Sequence, residues 1–582
     1  VARNLTRSIT AGCAAHAAHG HDLALTLHAV ASQTAKDYQI KDKDKLYALA
    51  QRLGIQTDGS NEKEIAFKVA EAALDSFGRQ NGELDLLRRA PKKRWELWRA
   101  LDLIPRGIHQ EIVETVHQTS MGVNQHPERI LTQALRVSLA DGWGGSMFAT
   151  DLSDVLFGTP RPRLSKANLG VLKEDEVNVV VHGHKPTLAE AIIAVVSDRE
   201  LLKLAQAKGA KGINLVGICC TSNEILMRHG IPPAGNFLHQ ELAILTGAVD
   251  AMVVDIQCVL QALAPLTERF HTKLITTSPQ AMIEGATHIE FDDKEALKTA
   301  KKIVKMAVNN FPNRNGVFIP QITSDLVAGF SHEYIKCMLG GKYRASFRPL
   351  NDAIITGCVQ GIAGVVGCNN PRVCQDEAHN YIVRELIRSN ILVVQTGCAA
   401  LANAKYGLMA PEALSEAGPF LREVCKAVGI PPLLHLGSCV DNSRILTILT
   451  EIVNEGGLGE DISDLPVVAI VPEWMSEKAL TIGAYFAASG VSVIFGVGSP
   501  VSAGASVPGL ISNDWEKKLG GQIQFEENPR EIVKEALAHI NKKRQALGIY
   551  GIGGREDDPK EIEKRRALRW WQQRLRSLLR QP

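Results

Sequence analysis

From Val177 onward, short Val/Ile-rich runs alternate with amphipathic stretches, and that alternation restricts the fold more than any other feature. The runs are "VNVVV", "GINLVGI", "AMVVDI", "KLITT", "GVFI", "GIAGVV", "NILVV", "PPLLHL", "PVVAIV" and "VSVIFGV". A segment apolar at every position reads as a strand buried on both faces, and such strands separated by helices form covered parallel sheets. Ten runs exceed one mononucleotide-type unit, so the sequence predicts two Rossmann-like sheets, divided near the turn-rich "NNFPNRNG". Residues before about 162 read differently. "HDLALTLHAVASQTA" and "PERILTQALRVSLA" carry apolar residues at three- and four-residue spacing, which predicts helices. "KDKDK" and "TDGSNEKE" read as solvated turns. The expected organisation is α/β: a helical domain over 1–162, sheet domains over 163–312 and 313–550, and a basic tail over 551–582. In that tail Leu568, Trp571, Leu575 and Leu578 share one helical face, with seven basic residues after Glu563. It reads as a terminal helix packing on its own protein, or as a docking or membrane-surface helix.

Composition narrows the function classes. The chain has 582 residues and a net charge of +2, which gives no reason to expect a nucleic-acid partner. No uninterrupted apolar run is long enough to span a bilayer, and "VARNLTRSITAG" lacks an apolar signal core, so a cytoplasmic location is expected. The 11 cysteines are odd in number and thinly spread, which argues against a disulfide framework.

Their positions matter more. "NVVVHGH" ends on His182 and His184, and "NLVGICC" on Cys219 and Cys220. "AMVVDIQC" ends on Cys258, "GIAGVVGCNN" reaches Cys368, "ILVVQTGC" ends on Cys398, and "LLHLGSCVDNSR" carries Cys439. Ligands of open α/β sheets bind outside the carboxyl ends of strands, and here six ends each offer a thiol or an imidazole. Cys13, Cys337, Cys374 and Cys425 sit in helical or polar segments and Cys358 precedes its strand, so those five read as ordinary core or surface residues. Structural zinc sites favour four ligands, often as Cys-x-x-Cys pairs, and no such pair occurs. Scattered thiolates with one imidazole suit a larger inorganic core, a polynuclear iron–sulfur site.

These strings also carry a resemblance. "VHGHKP", "GICCTSNEILMRHGIP", "DAMVVDIQC", "VVGCNN", "VVQTGC", "HLGSCVDNSRI" and "PEWMSEKALTIG" resemble, in order from Val1 to about Leu547, the anaerobic nickel–iron carbon monoxide dehydrogenases. The related hybrid-cluster hydroxylamine reductases share the architecture. The resemblance implies that His184, Cys220, Cys258, Cys368, Cys398 and Cys439 hold a nickel–iron–sulfur cluster. Cys219 would line that site, and His182 would support it without ligating.

The implied reaction is CO + H2O ⇌ CO2 + 2H⁺ + 2e⁻. Lys478 matches the family's cation for the carboxylate that forms, Ile482 would wall the CO site, and His16 matches the base. His19 would continue the proton route; the next positions at that spacing are Asp22 and Leu25, while His21 and His28 fall off it. The implied partners are a ferredoxin-type carrier, a second copy of the chain, and an acetyl-CoA synthase or hydrogenase. The family also carries two further [4Fe–4S] sites in a cysteine-rich segment that would precede Val1. Only Cys13 precedes Cys219 here, so the expectation is an N-terminally incomplete catalytic subunit that delivers electrons poorly to an external acceptor. Two other readings stay open on the residues alone: a hybrid-cluster-type hydroxylamine or NO reductase, and a non-catalytic α/β scaffold.

Overall fold

The computed structural model describes residues 1–340 and 345–549, so the basic tail over 551–582 lies outside the described residues. The fold is α/β, as expected: helices fill the chain up to Phe157, and two sheets follow.

The helical part is organised around Ala2–Ala31, which buries Leu5, Ile9, Cys13, Leu23 and Leu27 against its neighbours. Two glycines set how close those neighbours come. A Cβ on Gly12 would lie 2.4 Å from the Glu477 carbonyl oxygen, and one on Gly20 would lie 2.6 Å from that of Gly145. Gly12, His16 and Gly20 stand at i, i+4, i+8 on one face. The same face that admits two backbones therefore aims His16 between them. The helix pair Pro127–Ala140 and Ser146–Phe157 is joined by a π-helical turn, Asp141–Gly145, a distortion that proteins often place at functional sites.

The first sheet runs Pro233–Gly235, Ile213–Ile218, Val177–His182, Val249–Val254, Lys273–Thr276, Thr287–His288, all parallel. Its two central strands are buried at every residue, which is why they read as unbroken apolar runs. The second sheet runs Arg163–Ala167, Ser324–Ala328, Leu433–His435, Ile391–Gln395, Gly361–Val365, Val467–Val471, Ser492–Phe495, Ile523–Phe525. Only its first pair is antiparallel. Arg163–Ala167 thus precedes the first sheet in sequence yet pairs in the second.

In the first sheet, and in the second from Gly361–Val365 onward, the chain starts near the middle, winds outward one way, and returns to wind outward the other way. The crevices left at these reversals lie between Val177–His182 and Val249–Val254, and between Gly361–Val365 and Val467–Val471. Such reversals open a cleft at the carboxyl ends of the strands.

Two local expectations fail. "GVFI" forms no strand; the strand in that region is Ser324–Ala328, whose alternating, partly exposed residues suit a sheet flank. "KDKDK" is a helix start and not a solvated turn. Asp42 caps Lys43–Arg52 by accepting from the Lys45 amide at 2.9 Å, and Lys45 is buried against Asp151 at 2.8 Å.

Candidate active site

Residues just past both reversals converge. His184 follows the strand Val177–His182, and its loop is tied across the first crevice by Asp255. One Asp255 oxygen accepts from the His184 amide at 2.6 Å; the other accepts from the Lys185 amide at 3.0 Å and the Thr221 hydroxyl at 3.1 Å. Gly183, at φ +133°, is required there, since a Cβ would strike the Asp255 carboxylate. His184 Nδ1 donates to the Ile256 carbonyl at 3.3 Å, which leaves Nε2 as the lone-pair nitrogen facing the cavity.

The thiols arrive from both sheets. Cys219 and Cys220 open the helix Cys219–His229, with Cys219 in the left-handed region at φ 63°. Gln257 and Cys258 are both left-handed as well, at 65° and 54°, a costly conformation for two non-glycine residues in succession. Cys220 Sγ donates to Cys439 Sγ at 3.2 Å, and Cys219 Sγ lies 3.7 Å from Cys398 Sγ. His184, Cys220 and Cys439 bring ligand atoms within 4.8 Å of one another. Cys368 receives its orientation from both sides of its peptide: its amide donates to the Glu473 carbonyl at 3.1 Å, and His379 Nε2 donates to its carbonyl at 2.9 Å. Its thiol stands close enough to Cys439, Cys258 and Cys398 for their charge to add to burial in pushing its pKa up.

A buried cation reaches into this set. Lys478 extends from the first turn of the helix Glu477–Ala488, and its Nζ sits 2.5 Å from His184 Nε2, 3.2 Å from Cys258 Sγ and 3.0 Å from Gln257 Oε1. Burial favours losing its proton, but the sulfurs around it, Cys258 first and then Cys439, outweigh burial and hold it firmly charged. Cys258 is held below the usual thiol range by a hydrogen bond from Cys219, reinforced by Lys478 and His184 against burial. Cys439 is lowered likewise, by Cys220 first. Cys220 goes up, through its bond to Cys439 and burial. Ile482, one turn beyond Lys478, is 2% exposed.

His16 reaches the neighbourhood as the glycine spacing requires. Its Nδ1 lies 2.8 Å from an Asp141 oxygen and 3.2 Å from the Ser146 hydroxyl, and its Nε2 is buried without a partner. His19 Nε2 is likewise buried and unpartnered, and burial, then His184 and His16, hold His19 well below the usual imidazole range. A cavity of about 20 Å³, room for one water, is lined by His19, Asp22, His184 and Gln257. His182 instead bonds the Gln240 side chain at 3.0 Å. His21 stacks edge-on with Phe77, and His28 pairs with Glu71 at the surface. Cys337 and Cys374 are exposed, and Cys13, Cys358 and Cys425 pack among apolar residues.

Cys219 lines the set, as the resemblance implies, with its sulfur 3.7 Å from that of Cys398. One partner escaped the sequence reading. Asp141, 125 residues from His16, had no sign beyond the glycines around it. The donor set is soft, buried and short of cations, and so fits a thiolate-bound metal cluster, whose positive charge would replace the thiol protons.

The Prismane/CO dehydrogenase family model matches residues 1–530. The chain is 50% identical over 551 residues to carbon monoxide dehydrogenase 1 of Methanosarcina mazei, covering 94% of this chain and 87% of that one. It is 40% identical over 567 residues to the carbon monoxide dehydrogenase/acetyl-CoA synthase subunit beta of Moorella thermoacetica, covering 94% and 83%. A Ni-free crystal structure of carbon monoxide dehydrogenase from Thermococcus sp. AM4 superposes with a TM-score of 0.92 at 47% identity, covering 94% and 86%. These relatives favour CO oxidation over the hybrid-cluster alternative, and with the thiol-lined double crevice they show that the chain belongs to the Prismane/CO dehydrogenase family.

Proposed function

We propose that this chain interconverts CO plus water and CO2 plus two protons and two electrons at a nickel–iron–sulfur cluster. The cluster would be held by His184, Cys220, Cys258, Cys368, Cys398 and Cys439. When bound, such a cluster supplies a soft site for CO, acidifies water, and stores electrons. The remaining work falls to the chain. Lys478, kept charged by its thiolate neighbours, stabilises the negative charge that builds on the one-carbon substrate. Ile482 keeps that space dry, which strengthens the interaction. His16 receives protons at Nε2, because Asp141 accepts the Nδ1 proton and fixes the tautomer. His19, one helical turn on, takes the next position.

The observation that carries this reading is the meeting of one buried cation with thiols and an imidazole drawn from both sheets: Lys478 Nζ within 3.2 Å of His184 and Cys258. Metal analysis of anaerobically purified protein, paired with a CO-dependent change in the cluster's own spectrum, tests it. Nickel with several irons is expected. Iron alone would favour a hybrid-cluster reductase, and no metal would leave a scaffold. The finer partners follow from family kinship: a ferredoxin-type electron carrier, a second copy of the chain, a cytoplasmic setting, and an acetyl-CoA synthase or hydrogenase working alongside. Similarity to the Moorella subunit supports the acetyl-CoA synthase. No helix among the described residues is long and apolar enough to cross a membrane.

A further inference from the structure

Linked to the Cys398 loop through Asn236 lies a second buried cation, Lys405, only 5% exposed, which the reaction does not use. Its Nζ donates to Asp376 Oδ2 at 2.5 Å and to Asn236 Oδ1 at 3.0 Å, and it meets His239 Nδ1 at 3.2 Å. Burial, and then the Lys405 charge, bring His239 down to about 3, so the imidazole stays neutral. Asp376 Oδ1 accepts from two amides, Asn236 Nδ2 at 2.8 Å and Asn369 Nδ2 at 2.9 Å. Asp376 itself is left-handed, at φ 66°, at the start of the helix Glu377–Arg388.

Each arm of this hub ends on a cluster ligand. Asn236, just past the edge strand of the first sheet, also donates to the Cys398 carbonyl at 3.4 Å. Asn369 is the residue after Cys368, and its amide reaches on to Glu473 Oε2 at 3.3 Å. The backbone carbonyl of Glu473 accepts from the Cys368 amide. Asp376, Asn236, Asn369, Lys405 and Glu473 are all buried, so a lost partner cannot be replaced by bulk water.

We infer that Asp376 is a positioning residue that couples the two sheets and fixes the Cys368 and Cys398 ligand loops, with Lys405 as its obligatory counter-charge. The inference rests on the cluster assignment above. Its chemistry is specific. Asp376 uses one oxygen for two amide donors and the other for an ammonium donor, so it must accept at both ends. An Asn in its place turns one end into a donor facing a donor, whichever way the amide is set. Removing the ammonium at the same time relieves that conflict.

The test compares the wild-type chain, Asp376→Asn, Asp376→Asn/Lys405→Met and Asn236→Ala, all metallated anaerobically. Metal content, the electron paramagnetic resonance line shape of the cluster, and thermal melting are the readouts. Asp376→Asn should lose more than half of its nickel and show a shifted, broadened cluster signal. The double variant should regain wild-type line shape and most of the nickel. Asn236→Ala, a milder cut at the Cys398 arm, should perturb the signal while the protein stays folded, and it carries the test if Asp376→Asn fails to fold. A folded Asp376→Asn or Asn236→Ala with the wild-type signal would overturn the inference, even if melting fell. So would a folded double variant no better than the single one. A wild-type chain that takes up no nickel or iron would instead sink the functional reading, so the two failures are distinguishable.

Discussion

Two buried polar regions share the loop of Cys439, and they handle charge in opposite ways. Behind that loop, Asp154 accepts from Arg228 at 2.8 Å and from Arg444 at 2.7 and 2.8 Å, while Asp441 accepts from Arg444 at 3.0 Å. Asp151 binds Lys45 at 2.8 Å and Arg89 at 2.9 Å, and Glu333 binds Lys45 at 2.6 Å. In this network the acids have charged partners. Burial alone would raise Asp151, but Lys45 and Arg89 hold its carboxyl far below the usual range. On the other side of the loop, Cys219, Cys220, Cys258, Cys368, Cys398 and Cys439 gather near the ammonium of Lys478. Cys219, Cys220 and Cys368 are pushed up, toward keeping their protons. The first region pairs its acids with arginine and lysine side chains of the chain itself. The second is built with charge left for something else to neutralise, and that is the physical mark of a cofactor site.

This contrast can be broken by substitutions that cross it. The largest effect is expected on the thiol side. Replacing Cys258, Cys368, Cys398 or Cys439 with Ala should abolish nickel incorporation and nearly all CO oxidation, while the apoprotein melts within roughly 1 kcal/mol of wild type, the usual range for a mild substitution. A Cys→Ala variant with full nickel and activity would remove that residue from the ligand set.

Asp154→Ala should do the reverse. It leaves Arg444 buried without its main counter-ion and Arg228 with Glu224 alone, and breaking a buried pair typically costs about 3–5 kcal/mol. Denaturant unfolding of the apoprotein measures this directly, without interference from bound metal. A loss below about 1 kcal/mol would show that the network tolerates an open charge, and the contrast would fail.

Legibility followed the range of the interactions. The strand-end positions of His184, Cys220, Cys258, Cys368, Cys398 and Cys439 could be read because each apolar run points to its own carboxyl end. The helical face of His16 and His19 could be read from local spacing. What stayed hidden depends on pairing between distant segments. Asp141 meets His16, Asn236 meets Asp376, and Cys219 meets Cys398 across 125, 140 and 179 residues. No periodicity records such pairs. "KDKDK" misled for a related reason: a buried lysine looks like a solvated one until its acids, Asp151 and Glu333, are in place. "GVFI" is apolar enough for a strand, but the chain there runs outside the sheet, and Phe318 is 77% exposed.

The smallest expected effects sharpen the contrast within the site itself, by separating groups that hold the cluster from groups that serve the reaction. Lys478 touches His184 and Cys258 but is not a soft ligand, so Lys478→Ala should keep its metal. Turnover should fall by roughly two to three decades, the scale for removing one preorganised electrostatic donor. His16 stands farther out, tied to Asp141 and Ser146. His16→Ala should also keep its metal, with a smaller loss of roughly tenfold to a hundredfold, below the full reach of general base catalysis because water can substitute. The pH profile tells the two apart. Removing a general base changes how the rate depends on pH, so His16→Ala should differ from the wild type in the shape of its profile. Lys478→Ala should lower the whole profile and leave its shape unchanged, because the ammonium remains charged across the working range. Loss of metal from either variant would mean that the residue builds the site and does not run it. A profile of unchanged shape in His16→Ala would move the base elsewhere, and His19 is the next group on the same helix face with a free nitrogen.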